Sequence, residues 1–195
     1  MADAKLTTVI TPKDEPVRLS YVNLLTPKET DSGESKYGAT ILIPKTAVKT
    51  KALIDAAVEA AIQAGISAKF NGKRPAMLNL PLHDGDGTRP SDGEAYGPEC
   101  KGHWVLNATS RQQPGVIDRK GRKIEDATEI YSGMYACVSL NFAAYNNNKK
   151  GVGCYLNNVM KHSDGEALAG KSRPEDDFAD LLDADADSDP LAYLM

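Results

Sequence analysis

Flat rings and clustered cations are the side chains in this chain with the clearest chemical use. Tyr135, Tyr145 and Tyr155 recur along residues 132–162, and Trp104 stands in "GHWVLNATS" at 102–110. Around them the cations come in groups. Arg111, Arg119, Lys120, Arg122 and Lys123 fall in "RQQPGVIDRKGRKIED" (111–126). Lys149 and Lys150 fall in "NNNKKG", and Lys73 and Arg74 in "NGKRP". Rings that stack on bases and cations that follow a phosphate backbone are what binding of a nucleic-acid single strand requires, with little readout of base edges. Each stacked ring contributes about 1–3 kcal/mol. Every one of these side chains also has a plainer use. A lone Trp in a strand more often packs in a core. A strand Tyr often half-buries against its cross-strand partner, and a basic turn is often only solvated. The tyrosines of 135–145 have polar neighbours on their face and are better candidates than Trp104.

Other chemistries lack a constellation. His83, His103 and His162 have no nucleophile at a recognisable spacing. There is no G-x-S-x-G and no phosphate-binding Gly-Lys-Ser/Thr loop. The carboxylates of the body are scattered over loops, so neither an enzyme nor a cofactor is expected. Cys100, Cys137 and Cys154 are odd in number, which argues against a disulfide framework. Cys100-Lys-Gly-His103 has a metal-like spacing but no matching second pair. Cys137 and Cys154 sit inside strand patterns and read as small buried hydrophobes. "DGDG" resembles the start of a calcium loop. Counting from Asp84, however, Arg89 stands where the glycine belongs and Ala95 where the bidentate Glu belongs. No metal is expected.

The elements that must position the rings follow from periodicity. Residues 1–15 are polar and expected to be flexible. "VRLSYVNLL" (17–25) alternates as a strand, with Val17, Leu19 and Tyr21 on one face. A charged loop is expected over 26–36 and a second strand over 37–43, ended by Pro44. Residues 45–65 read as a helix, with Leu53, Ala57 and Ala61 in one stripe, Ile54, Val58 and Ile62 in the next, and Gly65 as a C-cap. Residues 71–101 read as a long irregular segment, and 102–110 as a strand. Asp118–Gly121 reads as a hairpin tip. The clearest hairpin has arms Met134–Tyr145 and Val152–Lys161, joined by 146–151. Met134, Ala136, Val138, Leu140, Phe142 and Ala144 should face the core, leaving Tyr135 and Tyr145 on the other face. In the second arm Tyr155 and Asn157 share a face. Several strands, one helix and turn-rich connections fit a small closed barrel.

Charge divides the chain. Overall it carries 27 acidic and 23 basic residues in 195, a net charge of −4. Residues 175–195 hold eight of the acids and no base, so the part before them carries a surplus of four positive charges. A domain spanning 16–170 and an acidic tail from 171 follow, the tail expected to be disordered. In the tail, Asp176, Asp177, Asp180, Asp183, Asp185, Asp187 and Asp189 precede an apolar tip that includes Tyr193, Leu194 and Met195. Such an arm competes with a polyanion for a cationic groove, docks a partner through its tip, or merely solubilises. No apolar run is long enough for a membrane helix. The N-terminus has neither the basic nor the apolar region of a signal peptide, so an intracellular protein is expected.

Four stretches together resemble one family. "VRLSYVNLLTPK", "LNATSRQQPGVIDRKGRKI", "YSGMYACVSLNFAAYNN" and "KGVGCYLNNVMK" are similar to the OB-fold single-stranded DNA-binding proteins of tailed bacteriophages, over about residues 15–165. The resemblance implies a mainly β fold, an OB-type barrel with one packed helix, long loops and an acidic C-terminal tail. It implies coating of single-stranded DNA during replication and recombination in the host bacterial cytoplasm. It also implies recruitment of a polymerase, nuclease or helicase through the tail. Tyr135, Tyr145, Tyr155 and the basic loops are the contacts it suggests. Two rival functions stand beside it. One is a strand-annealing recombination protein. The other is an interaction module whose acidic tail imitates DNA.

Overall fold

The computed structural model describes residues 6–168. Residues 1–5 and 169–195 lie outside the described residues, and with them every expectation for the acidic arm from Asp176 to Met195. Eight strands and one helix form: β1 (Thr8–Ile10), β2 (Val17–Glu29), β3 (Ser35–Pro44), α1 (Val48–Ala68), β4 (Leu82–Asp84), β5 (His103–Ser110), β6 (Gly115–Ile117), β7 (Tyr135–Asn146) and β8 (Lys150–Ser163). Five of the strands close a ring. β7 pairs with β2, β2 with β3, β3 with β5, β5 with β8, and β8 returns to β7. Every pairing in the ring is antiparallel except β5–β8, which is parallel and registers at one position, Thr109 opposite Tyr155. β1 lies along β7, β6 along β8 and β4 along β5. The expected mainly β, OB-type barrel with one packed helix is the fold of this chain.

Alternation builds the interior. Leu19, Ile41, Ile43, Leu106, Ala108, Val138, Leu140, Phe142 and Leu156 point inward from the five ring strands and meet Ile54, Ala57, Ala61 and Ile62 of α1. Fully burying a Leu, Ile or Phe contributes about 1.5–3 kcal/mol, so this cluster is what closes the ring. The alternation read in the first hairpin arm holds: Ala136, Val138, Leu140 and Phe142 are buried and Asn141 and Tyr145 are only half-buried. Cys100, Cys137 and Cys154 are free and buried. Burial pushes all three thiols up, Cys100 to about 11.

Several elements differ from their expectation. Within the segment expected to be flexible, Thr8–Ile10 pairs with Ser139–Asn141, and Val9 is buried. That segment also caps α1, whose N-cap residue Ala47 offers no side-chain acceptor. Glu15 supplies it: Oε2 accepts from the Thr50 backbone N–H at 2.7 Å and from Thr50 Oγ1 at 2.8 Å. A short polar sequence cannot announce contacts made with residues 35 positions away or more. The charged loop expected over 26–36 shrinks to 30–34, because β2 and β3 continue as a two-stranded arm pairing Lys28 with Lys36. α1 runs past Gly65, which is no cap. A Cβ on Gly65 would lie 2.5 Å from the Ala144 side chain and 2.8 Å from the Phe70 ring, so glycine is there for close packing on β7. The irregular segment 71–101 contains β4 and a single 3-10 turn at Pro98–Cys100. Asp84 and Asp86 both accept from the Lys45 ammonium at 2.6 Å. Among the described residues no helix is long and apolar enough to cross a membrane.

Candidate nucleic-acid interface

The outward residues of β3 and β5 form a ladder across the barrel wall. Leu42 lies opposite Val105, Thr40 opposite Asn107 and Gly38 opposite Thr109. The first rung is covered: Leu42 and Val105 pack with Cys100, Tyr96 and Leu168. Arg18 holds the same C-terminal stretch, donating from Nη2 to the Glu166 carbonyl at 2.7 Å. Beyond that lid the wall opens into a groove of about 400 Å³, lined among others by Tyr21, Asn23, Lys28, Lys36, Tyr37, Thr40, Asn107 and Thr109. Gly38 lies on its floor, where the neighbouring strand leaves no room for a side chain. A Cβ there would lie 2.5 Å from the Ala108 carbonyl oxygen.

Tyr21 is the distinctive side chain of the groove. The β2–β3 register shifts between Ser20 and Asn23, and this bulge puts Tyr21 at φ +47° with 69% of its surface exposed. A left-handed backbone is unfavourable for a residue with a Cβ. It is held here by two hydrogen bonds: Asn23 Nδ2 donates to the Tyr21 carbonyl at 3.0 Å, and the Val22 N–H donates to Ser132 Oγ at 3.2 Å. Strain of this kind, costing of order 1–3 kcal/mol, clusters at functional positions. At the other end of the groove Glu34 joins two cations, Lys36 at 2.8 Å and Arg111 at 3.4 Å. Hydrogen bonding from Lys36, and then the charges of Lys36 and Arg111, hold the Glu34 carboxyl below its usual range.

The residues singled out from sequence divide by location. Tyr155 lies beside the groove: it pairs with Thr109, a groove residue, across the β5–β8 seam and is 44% exposed. Arg111 follows β5 directly and is exposed. Tyr145 crosses to Gly151 at the hairpin end, its hydroxyl 2.6 Å from where a Cβ on that glycine would lie, next to the exposed Lys149 and Lys150. The others lie elsewhere or are occupied. Trp104 is packed against the core, with Lys45 and Lys51 ammonium groups 5.0 and 4.8 Å from its ring centre. Tyr135 sits beneath Arg18 at 5.8 Å and against Gly165. Arg74 is held by Glu59 on α1, donating from both terminal nitrogens, and Lys73 is exposed beside it. On the hairpin after β6, Arg122 pairs with Asp118 at 2.7 Å and Lys123 with Glu125 at 2.6 Å, while Arg119 and Lys120 are exposed. Sequence reasoning passed over Tyr21, Tyr37, Lys28 and Lys36. Strict alternation placed Tyr21 on one face with Val17 and Leu19, which are buried, and the two lysines sat in the expected loop.

The chain and its barrel are matched among known proteins. The family of the Enterobacter phage Enc34 ssDNA-binding protein matches residues 7–191. The chain belongs to that family. Protein p50 of Acyrthosiphon pisum secondary endosymbiont phage 1 is 32% identical over 165 residues, 79% of this chain and 84% of that protein. The single-stranded DNA-binding protein from bacteriophage Enc34, in a structure described as a complex with ssDNA, aligns at 30% identity with a TM-score of 0.67, covering 80% of this chain and 87% of that one. gp2.5 of bacteriophage T7, a single-stranded DNA-binding protein, shares the fold at 19% identity with a TM-score of 0.55, over 91% of this chain and 96% of that one.

Proposed function

We propose that this chain binds single-stranded DNA with little sequence preference, along the groove between the β2–β3 arm and β5. The observation that carries this reading is Tyr21, an exposed ring held at a strained position above a glycine-floored groove flanked by Lys28 and Lys36. Bases stack on Tyr21, Tyr37 and Tyr155, and the phosphates follow Lys28, Lys36 and Arg111. The path continues along β8 to Tyr145, Lys149 and Lys150. Trp104, Tyr135 and Arg74 take a structural role in this reading, and the exposed Lys73 lies off the path. Arg119, Lys120, Arg122 and Lys123 lie off the path. Family membership supports the reading, as does the DNA-bound form of the Enc34 relative. Binding needs no cofactor and involves no catalytic step.

The work such a protein does is protection of single strands in phage replication and recombination, inside the infected bacterium. The acidic run Asp176–Asp189 competes for the groove as a tethered polyanion and recruits replication or recombination partners when DNA displaces it. The experiment is fluorescence anisotropy on labelled oligo-dT, duplex and RNA, using the full chain and a chain ending at Pro174, across a salt series. Preference for oligo-dT, tightened by truncation most at low salt, is the expected result. No binding by either chain overturns the reading.

A further inference from the structure

We propose that the segment Leu191–Met195 of this chain seats in a second pocket, between β1 and β6, on the side of the ring away from the groove. β1 and β6 are three-residue strands that flank the β7–β8 pair without meeting. The gap between them leaves a cavity of about 310 Å³ on the outer wall, lined chiefly by Ile10, Ile117, Cys137, Val159 and Met160. Cys137 and Met160 are cross-strand partners on its floor. Ile10 is 70% exposed and Ile117 38%, an unusual placement for two isoleucines facing one cavity.

Cations stand close in sequence to both flanking isoleucines. Lys13 follows Ile10 by three positions, is exposed, and its charge is felt at the Cys137 thiol. Arg119 and Lys120 follow Ile117 on the exposed hairpin. Among the described residues, Lys13, Arg119 and Lys120 have no carboxylate within ion-pair distance, unlike their neighbours Arg122 and Lys123. An apolar pocket with unpaired cations nearby favours an apolar anchor attached to acids. The chain contains one such segment: Asp183, Asp185, Asp187 and Asp189 alternate directly ahead of Leu191, Tyr193, Leu194 and Met195. Reach is ample. Leu191 follows Leu168 by 23 positions, and 23 extended residues span up to about 75 Å, against a radius of gyration of about 15 Å for a domain of this size. Tethering supplies an effective concentration in the millimolar range.

The test is amide chemical shifts in the full chain, with and without Leu194→Asp plus Met195→Asp. The expected result is a shift at Ile10, Ile117, Cys137 and Met160. In the reciprocal arm, Ile117→Glu shifts the amides of Leu191–Met195. If Ile117→Glu fails to fold, the first arm decides alone. Changes confined to residues 190–195, or falling on Tyr21, Thr40 and Asn107 with none at the pocket, overturn the proposal. It does not depend on DNA binding. A chain that binds oligo-dT without the pocket response overturns this inference alone, and the converse overturns the groove reading alone.

Discussion

Two residues carry opposite tendencies in the groove. Tyr21 holds a left-handed backbone that a side chain disfavours, and it holds it with its ring in solvent. If the ring is a stacking platform, Tyr21→Ala lowers affinity for oligo-dT by about 1–3 kcal/mol. Tyr21→Gly loses the same affinity, yet the melting temperature stays level or rises, because glycine accepts the positive φ. A drop in melting temperature with unchanged binding would make the ring structural. Glu34 acts the other way. Its carboxylate pairs with both Lys36 and Arg111 and offsets part of their charge. Glu34→Gln releases both cations, and titration with oligo-dT at low salt should show affinity raised by about two- to five-fold. Unchanged affinity would place the strand away from that end of the groove.

Elements explain which of these features were legible in the sequence. Regular alternation and helical periodicity were readable, so the β7–β8 hairpin, β3, β5 and α1 could be drawn from residue order alone. Irregularity was not. The β2 bulge turns Tyr21 outward and Leu24 inward, and no local residue type announces it; the partners that fix it, Asn23 and Ser132, are visible only in the fold. The charged stretch 26–36 read as a loop because its strand residues face solvent on both sides and lack alternation. Gly65 was read by its local meaning, a helix stop, when its meaning is tertiary. Gly65→Ala improves helix propensity by about 1 kcal/mol but drives a methyl into Ala144 and Phe70. Overpacking costs about 1–3 kcal/mol, so a net loss in denaturant midpoint is expected. The flank of α1 also sets an acid response. Hydrogen bonds from Arg74, then Gln63, lower Glu59 from 4.5 to about 2. A depressed carboxyl stabilises the fold fully above pH 4.5 and loses that contribution as pH falls toward about 2. Glu59→Gln should flatten the fall in melting temperature across that window.

At the scale of the molecule, charge is laid out in sequence and in space. Lys28 and Lys36 line the groove, the proposed path adds Arg111, Lys149 and Lys150, and residues 175–195 hold eight acids and no base. If about five cations meet phosphates, the logarithm of affinity for a chain ending at Pro174 falls against that of salt with a slope of about −3.5. A slope near zero would remove the electrostatic route. The ring itself has one narrow join, the parallel β5–β8 pairing at Thr109 and Tyr155, and the groove runs beside it. A strand lying across that join touches both sides of it and so works as a clasp. Occupancy then slows amide hydrogen exchange along β5 and β8 more than in β7, and the barrel becomes hardest to pry open while it is carrying its load.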